Sequence, residues 1–121
     1  MNDKIHAVSP LGYDVYCSQE QWDEHILKGH GEMRGNEHAV EKTIVSPDEV
    51  YKSAEYDNRD VYFKKSSGAS YEAKGFGTRV IVEIPNKSIP AGDIVTAFAA
   101  KNIGGNIDAN DKLYPKPDKD L

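Results

Sequence analysis

Two of the chain's histidines, His25 and His30, lie close enough in sequence to act together. Imidazole, with an unperturbed pKa of about 6.5, both removes and delivers protons near neutral pH, so a histidine pair is a simple acid–base set. On one continuous helix the two rings would point about 140° apart. Gly29 supplies a helix stop between them, so His30 can leave on the following loop and fold back beside His25. The plain alternative is that a histidine next to Trp22 and Ile26 is a half-buried packing residue.

A second group of polar residues falls among the strand-like segments. Tyr62 and Lys64 alternate onto one face of their segment, and Arg79 and Glu83 share a face of the next. Thr96 is the polar side chain within the apolar run from Ile94 to Ala100. A cation near an imidazole, with a hydroxyl, suits a site that grips a phosphate and moves protons around it. The candidate catalytic set is therefore His25, His30, Thr96, Arg79, Lys64 and Tyr62. The competing reading is that Lys64, Arg79 and Glu83 decorate the wet face of a half-buried sheet. A metal site built from His25, His30, Glu32 and His38, with Asp57 and Asn58 nearby, matches no recognised zinc spacing, so no metal and no cofactor is expected. Gly75-Phe76-Gly77 precedes a strand rather than a helix, which excludes a phosphate-cradling loop of that type. No nucleophile elbow is present.

The elements that must position these residues follow from period and punctuation. Residues 1–12 read as a lead-in arm, and the alternating, aromatic-rich Tyr13-Asp14-Val15-Tyr16-Cys17 as a short strand or extended arm. Ser18-Gln19-Glu20-Gln21 is a capping box, and with Trp22, Ile26 and Gly29 it predicts a helix over 19–29. Asn36 opens a second helix to about Val45, and Ser46-Pro47-Asp48-Glu49 has the form of one more helical turn. Segments 50–56 and 60–65 flank the turn Asp57-Asn58-Arg59 and predict a hairpin. Ser66–Gly77 reads as a flexible loop, Thr78–Ile84 as a strand, 85–92 as a turn, and Ile94–Ala99 as a buried strand. Residues 105–121 are polar and Pro/Gly-rich and read as a flexible tail. The expected fold is α+β: N-terminal helices packed on a four-stranded antiparallel meander, one domain over 1–104.

Composition agrees with a single small domain. The chain has 121 residues, is 38% apolar and 29% charged, and carries a net charge of −5. That balance argues against loose, charge-driven adhesion to nucleic acid or membrane, though not against a small basic cleft. No apolar run is long enough to span a bilayer, no secretory leader is evident, and the single Cys17 excludes an internal disulfide. A reduced, cytoplasmic setting is expected.

Trp22, His25, Ile26, His30, Glu32 and Met33, in that order, resemble the "W-x-x-H-I-x-x-x-H-P-E-M/L" opening of small phage and bacterial toxin domains. Those domains belong to the barnase–EndoU–colicin E5/D–RelE-like nuclease superfamily. Ser46-Pro47-Asp48-Glu49-Val50, Val61-Tyr62-Phe63, Val80-Ile81-Val82 and Val95-Thr96-Ala97-Phe98 are similar to its later motifs, so the resemblance spans about residues 16–101. Gly31 departs from the family's usual Pro. The resemblance implies a metal-independent endoribonuclease that uses the ribose 2′-hydroxyl as nucleophile and leaves a 2′,3′-cyclic phosphate. It makes His25 and His30 the acid–base candidates and Thr96 a phosphate or substrate contact. It further implies RNA, tRNA among the candidates, as substrate and a cognate immunity or antitoxin protein as partner. Delivery into a target cell's cytoplasm is compatible with it. The alternative is a catalytically inactive domain of the same fold, kept as a binding or structural module of a phage or mobile element.

Overall fold

The computed structural model describes residues 3–116. Seven strands form one mixed sheet in the order β1-β2-β6-β5-β4-β3-β7. They are β1 (Asp3–Val8), β2 (Asp14–Ser18), β3 (Glu49–Ser53), β4 (Arg59–Lys64), β5 (Gly77–Glu83), β6 (Ala91–Ala100) and β7 (Ile107–Tyr114). This corrects the expected four-stranded antiparallel sheet under N-terminal helices. The meander β3-β4-β5-β6 forms as its alternation predicts, but the sheet continues past both of its edges. On one side β2 joins β6 in parallel, and β1 pairs antiparallel with β2. On the other side β7 pairs antiparallel with β3.

Both added edges escape a reading based on hydrophobic runs. In β1 only Ile5 and Ala7 are buried, too few alternations to distinguish from a lead-in. In β7 the residues from Asp108 to Asp111 are exposed, and the strand is held by backbone pairing that polar side chains do not oppose. Leu113 and Tyr114 give it its apolar anchor on the core. Residues 107–114, expected to belong to a flexible polar tail, form β7, while 117–121, like Met1 and Asn2, lie outside the described residues.

The first helical run covers residues 19–29, as predicted, but not uniformly. Gln19–Gln21 and Leu27–Gly29 are α-helical, whereas Trp22–Ile26 is π-helical. Ser18 caps it by accepting the Gln21 backbone N–H at 3.0 Å. The Gln21 side chain does not close the capping box. It donates instead to the Val95 carbonyl at 2.7 Å. Val95 is the extra residue of a bulge, since Ile81 pairs with Thr96 and Val82 with Ile94. The helical run thus lies along the edge of β6 where β2 has ended.

The second helix, Glu37–Val45, packs on one face of the sheet, against β1, β4 and β5. Reaching strands that β2 and β6 separate requires the sheet to curl around it. Trp22, Ile26, Met33, Val40 and Ile44 meet Val50, Tyr62, Val80 and Val82 there and form the core. Burying each such aliphatic side chain is worth roughly 1.5–3 kcal/mol. Asn36 makes no side-chain cap to this helix. Its amide instead accepts from the Ser70 backbone N–H at 3.0 Å and donates to the Ser70 hydroxyl at 2.9 Å. With Tyr71, Ser67 and Thr78 joined by hydroxyl contacts of 2.6 and 2.8 Å, this pins the 66–77 segment that composition alone marks as flexible. No helical turn forms at Ser46–Glu49, where β3 begins directly.

Candidate functional site

Strand register sorts the candidate residues onto two faces. Directly opposite residues share a face, so the pairs Phe63–Arg79 and Arg79–Phe98 put Phe63, Arg79 and Phe98 together. Thr96, paired with Ile81, lies on this same face, away from the second helix. Tyr62 pairs with Val80 and Lys64 with Thr78, on the helix-covered face. The six candidates therefore do not converge on one point.

Tyr62 is fully buried and belongs to the core. Its hydroxyl donates to the Tyr13 hydroxyl at 2.6 Å, and Tyr13 donates to Asp60 at 2.7 Å. With its own proton committed to Tyr13, Tyr62 must accept from Ser9, at 2.5 Å. Burial pushes the Tyr62 phenol up to about 12, partly offset by the contacts from Ser9 and Tyr13. Burial and the neighbouring Tyr62 and Asp60 raise Tyr13 further still. These are neutral phenols serving as hydrogen-bond links. Lys64 donates to the Ser46 carbonyl at 2.7 Å and lies 3.8 Å from Asp48, which ties β4 to the end of the second helix. Neither residue faces the histidines.

The histidines also separate. His25 is exposed on the π-helical turn, which buries Trp22 and Ile26 on its other side. Among the described residues no hydrogen bond, ion pair or ring contact joins it to His30. His30 follows the helix end, as Gly29 predicts, and its ring stacks on Phe98 with centroids 4.9 Å apart. Its Nδ1 lies 3.9 Å from Glu32 Oε2. Glu32 is itself fixed to the β6 edge, because the same oxygen accepts the Ala99 backbone N–H at 3.1 Å.

Arg79 completes this group from the other side. Its guanidinium carbon lies 5.5 Å from the Phe98 centroid, and its Nη2 donates to the Gly105 carbonyl. The residue is only 8% exposed, and its Nε is buried with no hydrogen-bond partner among the described residues. Burial lowers its pKa from the ordinary arginine value, yet that value lies so far above neutrality that the group stays cationic. Imidazole, aromatic ring and guanidinium thus share one corner of the sheet, with the Glu32 carboxylate 3.9 Å from the imidazole. Phe98 and Glu32 carry no catalytic role in the sequence reading. Alternation from Thr96 was the signal that could have placed Phe98 on the working face.

A wide concavity lies elsewhere. About 650 Å³ in volume, it is lined by Asp3, Cys17, Arg59, Glu83 and Asp93 among others. Burial, then Glu83 and Asp3, raise the Asp93 carboxyl, and burial with Asp93 and Asp3 pushes the Cys17 thiol up to about 12. Arg59 is already paired with Glu83 at 3.2 Å. A cleft of this sign repels phosphate. Among the described residues, no group of three or more His, Cys, Asp or Glu side chains could hold a metal ion. Nor is any helix among them long and apolar enough to cross a membrane. Comparisons of the chain with family models, with curated proteins and with solved structures returned no match.

Proposed function

We propose that this domain is a metal-independent endoribonuclease whose working site is the corner formed by His30, Phe98 and Arg79, with Thr96 on the same face. The observation that carries this reading is the seating of one imidazole and one buried guanidinium on a single aromatic ring. A proton-transfer group and a fixed cation are the two elements that RNA transesterification demands of a protein. The substrate brings its own nucleophile, the ribose 2′-hydroxyl, so the chemistry needs no metal to generate one.

In this reading an imidazole takes the 2′-hydroxyl proton. The freed O2′ attacks the adjacent phosphorus, and the P–O5′ bond breaks as an imidazolium protonates O5′. The products are a 2′,3′-cyclic phosphate and a 5′-hydroxyl. Arg79 meets the charge that builds on the non-bridging oxygens, where a preorganised cation gives most. Glu32, whose Oε2 lies 3.9 Å from Nδ1, is the carboxylate that would position His30 for this transfer. His25 is the partner for the second proton transfer, on the same helical run. RNA is the substrate class, tRNA among the candidates, and an acidic toxin-type domain of this kind would require a cognate immunity or antitoxin protein in a cytoplasm that contains it.

A second reading has its own support. His25 makes no contact with His30 among the described residues, and Arg79 already holds a backbone carbonyl, which suits an inactive binding module of a phage or mobile element. Incubation with total RNA, with and without EDTA, separates them. Wild-type protein is expected to cleave RNA equally in both conditions, and His30→Ala to lower the rate at least about a hundredfold. No cleavage by wild type favours the binding module; loss in EDTA points to a metal enzyme.

A further inference from the structure

The residues between β6 and β7 make an unusual journey. Ala100 pairs with Gly77 at one end of the sheet, whereas Ile107 pairs with Ser53 at the opposite end and beyond the β3 edge. Residues 101–106 therefore cross β5, β4 and β3. At full extension such a segment reaches only about 20 Å. It has little slack. Its course runs over the face that bears Arg79, because Gly105 accepts from that guanidinium, and the Asn106 carbonyl is then held by the Ala54 N–H at 3.0 Å. Val61 and Phe63 on this face are buried although they stand outside the core cluster, as expected beneath a covering segment.

We infer that 101–106 is a strap which occupies the phosphate-binding guanidinium in the free protein, the Gly105 carbonyl standing in for a phosphate oxygen, and that bound RNA displaces it. The inference rests on the phosphate-binding role given to Arg79 above. A backbone carbonyl is a neutral acceptor, and a phosphate offers the same geometry with a full charge, so the exchange runs in favour of substrate. The strap leaves Arg79 Nε without a partner, and a phosphate bound through two oxygens would engage it. The strap has the backbone for detachment: Gly104 has φ +78 and Asn106 φ 59, and residues 101, 102 and 104–106 are exposed. A Cβ at Gly104 would meet Arg79 Nη1 at 3.1 Å, close enough that the guanidinium or the strap must give by a few tenths of an ångström, and φ +78 favours glycine there.

The test uses the full chain, a short 2′-deoxy oligonucleotide that cannot be cleaved, and the variant Gly104→Val. A β-branched residue at that φ strains the strap and shifts it off Arg79. If the strap competes with phosphate, saturating oligonucleotide drops the 15N order parameters of Gly104 and Gly105 from about 0.85 to below about 0.6, and Gly104→Val binds about tenfold more tightly. Oligonucleotide binding that leaves both glycines rigid overturns the strap and leaves the nuclease reading standing. Binding by neither protein removes the functional reading, and the strap with it. Should Gly104→Val fail to fold, the relaxation comparison on wild type decides alone.

Discussion

His30 and Arg79 reach the same Phe98 ring from two different parts of the chain, one at the end of the first helical run and one on β5. Neither touches the other's element by local sequence. The register of β5 on β6 and the docking of residues 19–33 along the free β6 edge bring them together.

Arg79→Lys should therefore be damaging despite conserving charge. An ammonium keeps the charge but loses the planar fork that holds Gly105 and offers a second donor to phosphate. RNA cleavage by Arg79→Lys is expected to fall at least about tenfold and by Arg79→Gln at least about a hundredfold, each measured at saturating RNA on protein shown to be folded.

Glu32→Gln should act through His30 alone. The amide oxygen can still accept the Ala99 N–H, so the edge stays fixed while the charge beside Nδ1 disappears. Activity is expected to drop several-fold in kcat at an unchanged KM, whereas the melting temperature should hold within a few degrees. An unchanged kcat would remove Glu32 from any positioning role.

Tyr62→Phe and Lys64→Ala should separate from the catalytic variants. Phenylalanine at 62 leaves the Tyr13 and Ser9 hydroxyls with a missing partner in the core, costing about 1–3 kcal/mol in chemical denaturation. Activity of the folded protein is expected to match wild type for both. A large loss of kcat at native stability would return either residue to the site.

Alkaline pH should destabilise the fold through the same network. Tyr62 sits at about 12 when folded against 10.0 for the free phenol, so the folded state holds its proton longer. Stability from this group is complete below pH 10 and is lost as pH rises towards 12, and Tyr13, raised for the same reason, adds to it in the same direction. Denaturant midpoints measured between pH 8 and pH 11.5 should fall, and Tyr62→Phe should flatten the decline.

Much of this molecule is legible in its sequence for a simple reason. Alternation exposes itself where one face of a strand is buried, as in Val80-Ile81-Val82, and a helix announces its ends through Ser18 and Gly29. What escapes is structure held mainly by backbone pairing. Asp108-Ala109-Asn110-Asp111 has no apolar period, yet it forms part of β7 on β3. The candidate site divides along the same line. His30 and Arg79 are visible as residue types, but only register separates Arg79 from Lys64 and Tyr62, since each of the three looks like a polar residue on an alternating strand. The parallel pairing of β2 with β6 leaves no local mark at all, because neither partner's pattern names the other.

If the His30–Phe98–Arg79 corner cleaves RNA by internal transesterification, an oligonucleotide carrying a single ribose among deoxynucleotides is cut at that ribose alone. The upstream fragment then ends in a 2′,3′-cyclic phosphate and the downstream one begins with a 5′-hydroxyl, and His30→Ala yields neither. A 5′-phosphate on the downstream fragment, or a strand left intact by the wild-type protein, overturns internal transesterification at this corner.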